Sequence, residues 1–458
     1  MIENDAFKLL LINLFHLNPD DIANIFCTTF NNMMVLLVTL ADKHQACPYC
    51  GFTAPKIKEY VTKEITHSAL TTQKCIIKYR ARRYKCPCCG KTYYEFNPFV
   101  FKSQKISILT VHNILKDLKD FNETFTSVAR RYHVSPTSVS TIFDNHVDIG
   151  RNPLPEIINF DEVYAFKSEK SKYVCVLLDF KKQIPVDVLP NRKKEYLLNY
   201  FQKIPLEERK KVKYACSDMY EVYRDVAHKV FPCSCMLLDY FHLSQDFHRK
   251  MNEVRIKVMK GYKDDKASDE YYLLKKFNWL LFKNPEDEDK YGRLFDVERE
   301  RKYNSHFKSY MNYYDLRRKL LEINNDLTIC YSLKLELVDF YSKSTIDNAQ
   351  VNLEHLIRSC IDTNIEEMIA FSNNLINWKQ EIINSFTIVG TEYKVEADKG
   401  QVVVCNKKVN NAIIENRNKI IKCIKNNANG YTNWSRFRNR VMYVLDPNTT
   451  FSLEPREK

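Results

Sequence analysis

The sequence predicts an α+β chain, and three observations carry that prediction. Two CxxC pairs bracket strand-patterned sequence near the start. Short strands that give way to helix and strand in alternation occupy residues 151–242. Helical periodicity then runs through residues 241–386. With 458 residues, 45% hydrophobic and 28% charged, the composition is that of a folded globular chain rather than a disordered or fibrous one. No stretch reaches the ~18 apolar residues of a membrane span. The first residues carry Glu3 and Asp5 where an export signal needs basic residues, so the expected location is cytoplasmic. In a reducing compartment the 15 cysteines are expected as metal ligands or buried thiols rather than disulfides.

Residues 1–42 read as a helix over 4–15 and an apolar strand over 33–41. Residues 43–105 then carry Cys47-Pro-Tyr-Cys50-Gly and Cys86-Pro-Cys-Cys89-Gly, separated by strand patterns at 56–66 and 73–85. Each knuckle puts two thiolates on one side of a tight turn. Four thiolates, Cys47, Cys50, Cys86 and Cys89, complete a tetrahedron for structural Zn²⁺. Cys75 and Cys88 are not expected as ligands.

Residues 106–150 hold two short helices, 124–132 and 136–145, in the sequence TSVARRYHVSPTSVSTIF. Ala129 is small where the helices cross, Val134 is apolar in the turn, and Ser135 precedes Pro136 as an N-cap, which together describe a helix-turn-helix. Arg130 and Arg131 are then expected on phosphates, and Thr137, Ser138 and Ser140 at base edges or phosphates. A plain helical hairpin is the alternative. The 70 Lys and Arg exceed the 57 Asp and Glu by 13, an excess that suits a polyanionic partner. It is confined to two regions, residues 43–105 with a net +10 and residues 399–445 with a net +9.

From residue 151 the period turns to strand, with candidates at 157–166, 173–180 and 183–189, a helix at 193–202, a strand at 212–218, a helix at 220–230 and a strand at 235–239. Three antiparallel strands followed by helix–strand alternation is the order of a ribonuclease-H-like α/β sheet. The helical run, assigned to residues 243–398, is too long for a connection within that fold and reads as an all-helical insertion. Residues 399–458 return with a short strand, 401–405, and a basic helix, 410–426.

Asp161 sits in the apolar strand IINFDEVYAF and Asp218 ends VKYACSDMY. On neighbouring strands the two carboxylates converge, and a bound divalent cation compensates an Asp in such an apolar setting. Glu162 points to the other face, since strand side chains alternate. Asp239 and His242, in Asp239-Tyr-Phe-His242, lie at a strand-to-helix junction and are expected to support the site. Spacing alone leaves the third carboxylate open, because Glu354, Glu366 and Glu367 compete for the role.

The segment VNNAIIENRNKIIKCIKNNANGYTNWSRFRNRVMYVL, residues 409–445, resembles the C-terminal signature of the ISL3 family of bacterial insertion-sequence transposases. There a Glu opens a basic helix followed by a Gly-aromatic turn and an Arg-rich segment. The knuckles, the DNA-binding helices, NFDEVYAF, SDMY, LLDYFHLSQ and LLKKFNWLLFKNPED are similar in the same order, so the resemblance covers nearly the whole chain. One departure is Asn416, where the family commonly has Gly. The resemblance implies a DDE enzyme in which Asp161, Asp218 and Glu415 hold two Mg²⁺, or Mn²⁺, for cleavage and joining of double-stranded DNA. Its partners would be terminal inverted repeats and target DNA in the bacterial nucleoid, met as a homodimer on DNA. Arg417, Lys419 and Lys422 would hold phosphates. Tyr431 and Trp434 are expected to pack in the core, with base stacking as the alternative. Two competing readings are a zinc-ribbon regulator with an inert catalytic-like domain and a nuclease without strand transfer.

Overall fold

The structure, a computed structural model, describes residues 2–43, 46–68, 72–101, 104–166, 171–395 and 402–456. Helix α1 (Ile2–Leu14) packs on a hairpin of β1 (Ile22–Phe30) and β2 (Met33–Leu40). The hairpin turns at Asn31 and Asn32, both in the left-handed region at φ 48° and 57°, a backbone that Asn tolerates in two-residue turns. β1 carries no alternation that would predict it, because only its Ile22 and Ile25 are buried. β3 (Lys56–Thr66) and β4 (Cys75–Lys85) pair antiparallel, β4 lies parallel to β2, and β5 (Thr92–Tyr94) pairs with β4, giving the path β1-β2-β4-β3 with β5 alongside.

Helices α2 (Ile108–Asp117), α3 (Phe125–Arg131) and α4 (Pro136–His146) follow. Thr124 and Ser127 form a reciprocal cap on α3, and Ser135 caps α4 with Pro136 at its first position. Val128, Ala129, Val139 and Phe143 form the core between them.

The second sheet has the order β10-β9-β6-β7-β8. Strands β6 (Ile157–Val163), β7 (Val174–Asp179) and β8 (Pro185–Leu189) run antiparallel in succession. Helices α5 (Lys194–Gln202) and α6 (Leu206–Arg209) lead to β9 (Tyr214–Ser217), and α7 (Glu221–Val230) leads to β10 (Cys235–Leu238). Both β9 and β10 run parallel to β6. One face, through Phe160 and Leu177, is buried by α5 and α7. Val163, Val176 and Val188 on the other face are buried by C-terminal helices described below.

Helix α8 (Tyr240–Lys260) opens a largely helical region with a core of its own. It continues through α9 (Asp269–Lys276), two small hairpins, β11 (Glu288–Asp289) with β12 (Gly292–Arg293) and β13 (Lys302–Asn304) with β14 (Ser309–Met311), then α10 (Tyr313–Glu322), α11 (Asn325–Lys343), α12 (Ala349–Asp362), α13 (Glu366–Asn377) and α14 (Lys379–Asn384). The hairpins correct the expectation of unbroken helix; strands of two or three residues leave no period to read. A hairpin of β15 (Ile388–Val395) and β16 (Val402–Lys408) follows. Only its second strand was anticipated, and residue 401 of that expectation lies outside the described residues.

The chain closes with α15 (Ala412–Asn427), a turn at Gly430 with φ 99°, and α16 (Trp434–Leu445). α16 joins the parts. Phe437 and Val441 cover the sheet, while Tyr443 donates to the Leu115 carbonyl at 2.9 Å and buried Arg440 donates to the carbonyls of Asp120 and Glu123, both at 2.8 Å. Trp434 packs on Phe166 and Tyr431 on Phe437, as the packing expectation has it. Among the described residues no helix is long and apolar enough to cross a membrane.

Candidate active site

Three carboxylates stand at the C-terminal edge of three adjacent parallel strands. The β6–β9 register sets Asn159 opposite Cys216, so two residues further Asp161 is level with Asp218 and on the same face. Asp239 follows β10, and its N–H donates to the Ser217 carbonyl at 3.0 Å. This edge is where open α/β sheets bind ligands.

Two helix starts complete the group. His242, in the first turn of α8, donates from Nδ1 to Asp239 Oδ2 at 2.9 Å. Glu415, in the first turn of α15, has its carboxylate with those two: the ligand atoms of Asp239, His242 and Glu415 lie within 4.8 Å of one another. Asp161 and Asp218 adjoin this group on the neighbouring strands and are not part of it. The structure therefore places Glu415 at the sheet edge with Asp239 and His242, in one cluster of ligand atoms. Glu354 instead pairs with Lys379 at 2.7 Å, and Glu366 and Glu367 face Lys257 at 3.8 and 3.6 Å.

Asparagines, which sequence reading missed, hold α15 in place. Asn418 Nδ2 donates to Asp161 Oδ2 at 2.8 Å. Asn411 is fully buried; its Nδ2 donates to the Phe160 carbonyl at 3.3 Å, its Oδ1 accepts from Asn159 at 2.7 Å, and its N–H donates to Asp239 Oδ1 at 3.3 Å. Asn411, Glu415 and Asn418, at i, i+4 and i+7, share one face of the helix. The run VNNAIIENRN holds this spacing, but Asn is too common in the chain for it to stand out. Asn411→Ala strips partners from buried amides and is expected to cost about 1–3 kcal/mol of stability. A urea melt that left the midpoint unchanged would contradict that assignment.

Burial pushes the Asp161 carboxyl up to about 7, with the charges of Asp218 and Glu162 adding to it. Burial likewise raises Asp218, whose Oδ1 is buried without a hydrogen-bond partner. For His242 burial works downward, but the Asp239 hydrogen bond and the surrounding carboxylates outweigh it and the ring is raised. Glu162 leaves the group for the α7 side, where it pairs with Arg192 and accepts from Tyr223 at 3.2 Å. Desolvated carboxylates with an orphaned oxygen form a site short of positive charge, and divalent cations fit such a donor set.

At the other end of the chain the four expected thiols meet. Cys47 Sγ lies 3.7 Å from Cys89 Sγ and Cys50 Sγ 3.5 Å from Cys86 Sγ. Zn–S bonds of about 2.3 Å in a tetrahedron need sulfurs about 3.8 Å apart, so the cluster fits zinc. Gly51 and Gly90 follow the knuckles at φ 74° and 69°, each closing its turn onto the first cysteine's carbonyl at 2.9 Å. The N–H groups of Cys89 and Cys88 pull the Cys86 thiol down to about 7.

The expected DNA-contacting side chains divide by environment. Arg130 and Thr137 are exposed, whereas Arg131 pairs with Asp117 and Glu123, and Ser138 bonds the Ser135 hydroxyl at 2.8 Å. Lys419 and Lys422 are exposed on α15, and Arg417 donates to the Gln183 carbonyl at 3.1 Å.

Residues 158–397 match the family described as transposase, DDE type, ISL3. That span contains Asp161, Asp218, Asp239 and His242 and ends before Glu415. A relative from Bordetella parapertussis, "Transposase for insertion sequence element IS1001", is 20% identical over 409 residues, covering 89% of this chain and 90% of its own. With more than half of its length matched by the family, the chain belongs to the ISL3 transposases, enzymes that cleave and join DNA.

Proposed function

We propose that this transposase binds the terminal inverted repeats of its insertion sequence and catalyses strand cleavage and strand transfer at the carboxylate edge. The observation that carries the reading is the set of desolvated carboxylates on adjacent parallel strands, with the buried Asp218 oxygen left unpartnered. Asp161, Asp218 and Glu415 would hold two Mg²⁺, with Mn²⁺ as a substitute, and Asp239 and His242 would orient them. When bound, such ions activate water and stabilise the leaving 3′-oxygen in an in-line displacement. The chain's own part is to fix the carboxylates through the α15 asparagines and to offer Lys419, Lys422 and Arg417 to phosphates. The order β10-β9-β6-β7-β8 supports a ribonuclease-H-like domain begun at residues 151–242, interrupted by a helical insertion at 243–398 and completed by 399–458. Recognition falls to the zinc ribbon of residues 43–105 and the helix-turn-helix of 106–150. A homodimer would hold two ends.

The test supplies Mg²⁺ and labelled duplexes with and without the element's terminal repeats, and follows 3′ ends into a second duplex. Joining that needs the repeats is expected. Cleavage without joining would leave a nuclease, and binding without cleavage a regulator. Within the helix-turn-helix, Arg130→Ala is expected to weaken repeat binding across sequences and lower the slope of log affinity against log salt by about 0.9, whereas Thr137→Ala alters sequence preference. Arg131→Ala, which opens the Asp117 and Glu123 pairs, should show mainly in stability. Repeat affinity untouched by Arg130→Ala and Thr137→Ala together would leave a helical hairpin with no reading role.

A further inference from the structure

The β13–β14 ribbon exposes aromatic surface that the fold does not use. Tyr303 and Tyr310 are direct cross-strand partners, 59% and 69% exposed, with ring centroids 5.5 Å apart. Tyr291, at the turn of the neighbouring hairpin, is 68% exposed, and Lys302 Nζ lies 5.9 Å from its ring. Single exposed apolar residues are ordinary; three solvent-facing tyrosines on adjoining hairpins are a surface. From residue 301 to 314 the sequence RKYNSHFKSYMNYY holds Arg301, Lys302 and Lys308 and no carboxylate. Arg301 is taken by Asp315 at 3.0 Å, whereas Lys302 and Lys308 make no ion pair among the described residues; in the first hairpin Asp289 pairs with Arg299 at 2.6 Å, and Glu288 has no ion pair among the described residues.

The ribbon is also anchored to α9. His306 stacks on Tyr272 of α9 with centroids 3.9 Å apart and bonds Asp269 at 2.9 Å, and Asn304 Oδ1 accepts from the His306 and Phe307 N–H groups at 3.0 and 3.3 Å. On a ribbon anchored this way the Tyr303 and Tyr310 rings offer large flat faces at low conformational cost, as tyrosine does in binding surfaces generally. Flat faces flanked by unpaired lysines suit unpaired nucleotides, with bases on the rings and phosphates on the ammonium groups.

We infer that the hairpins around Tyr291, Tyr303 and Tyr310 form a binding site for single-stranded DNA, separate from the duplex-reading modules. α9 meets α8 where Arg255 donates to the Leu274 carbonyl, thirteen residues beyond His242 and so about 20 Å along the helix. The site rests on the chain acting on DNA as proposed above, but it is measured without the reaction.

The experiment titrates the full-length protein into a fluorescein-labelled single strand of mixed sequence, and separately into the repeat duplex, by anisotropy. Tyr303→Ala with Tyr310→Ala is expected to weaken single-strand binding at least tenfold, the loss of one stacked base or more, and to leave duplex affinity unchanged. The Phe pair should keep wild-type affinity. Lys302→Ala with Lys308→Ala should lower the single-strand salt slope by roughly 1.4, two phosphate contacts. Ala variants that bind the single strand like wild type overturn the inference. If they change the sedimentation coefficient instead, the tyrosines join two copies of the chain. A wild-type protein that binds the single strand but ignores the repeats would leave this site standing and remove the proposed end recognition.

Discussion

Asp161→Asn is expected to reduce Mg²⁺-dependent strand cleavage by on the order of 10³-fold, about 4 kcal/mol of barrier, while raising the melting temperature of the metal-free protein near neutral pH. Both effects come from one cause. The carboxyl is raised to about 7 by burial and by its acidic neighbours, so folding disfavours its ionised form. A group whose folded value lies above its unfolded one supports the fold fully below the unfolded value, and that support drains away as pH rises toward the folded value. For Asp161 the window runs from its ordinary value of 3.8 to about 7. Metal-free wild type should therefore lose stability across it, and the Asn variant should lose less. Mg²⁺ should restore stability to wild type and do little for Asp161→Asn, because the ligand charge is gone. Asp218→Asn and Glu415→Gln are expected to abolish cleavage equally and leave repeat binding near wild type. Glu354→Gln, Glu366→Gln and Glu367→Gln should be tolerated. Melts with and without Mg²⁺ and a cleavage time course check the set. Because Glu415 shares a cluster of ligand atoms with Asp239 and His242, Asp239→Asn is the informative companion. Activity lost there and kept in Asp161→Asn would move the metal site to Asp239, His242 and Glu415.

What the sequence made legible follows from how local each signal is. The knuckles announce themselves because four cysteines at fixed spacing leave little else to explain them. The helix pair of residues 124–145 was readable through Ser135-Pro136 and the small Ala129. Strands of the second sheet stood out as apolar runs between polar turns, since β6, β7 and β8 are buried almost throughout. Where an element is half-exposed or very short, the pattern vanishes, as in β1 and the hairpins of residues 288–311. The site divides the same way. Asp161 and Asp218 are conspicuous as acids in apolar strands, whereas the assembly with Asp239 and His242 depends on where α15 docks. That docking is set by Asn159, Asn411 and Asn418, polar residues whose burial exists only in three dimensions. Arg131 is the converse case, a basic residue in a recognition-like helix whose charge is taken by Asp117 and Glu123 fourteen and eight residues earlier.

Replacing one knuckle cysteine, Cys86→Ser, is expected to remove zinc from the protein, unfold one end of the first sheet and weaken repeat binding by tenfold or more, with the catalytic half intact. The apolar core under the knuckles is small, consisting of Cys47, Tyr84, Cys86 and Tyr93. A core of that size does not hold a β-hairpin in water, whereas a structural zinc is worth about 10–16 kcal/mol in small zinc domains. The far end of the same hairpin has other support. β4 pairs with β2 from Cys75 to Tyr79, over a separate core of Leu36, Val38, Ile65 and Ile77 that α1 covers. Hydrogen exchange should therefore lose protection at residues 83–94 and keep it at 75–79. Thermal response to Mg²⁺ should stay that of wild type, since Asp161, Asp218 and Glu415 belong to other elements. Elemental analysis should give one zinc per chain for wild type and a large loss for the variant. Wild-type protein that contains no zinc and still binds its repeats with protected knuckles would remove the metal from this account.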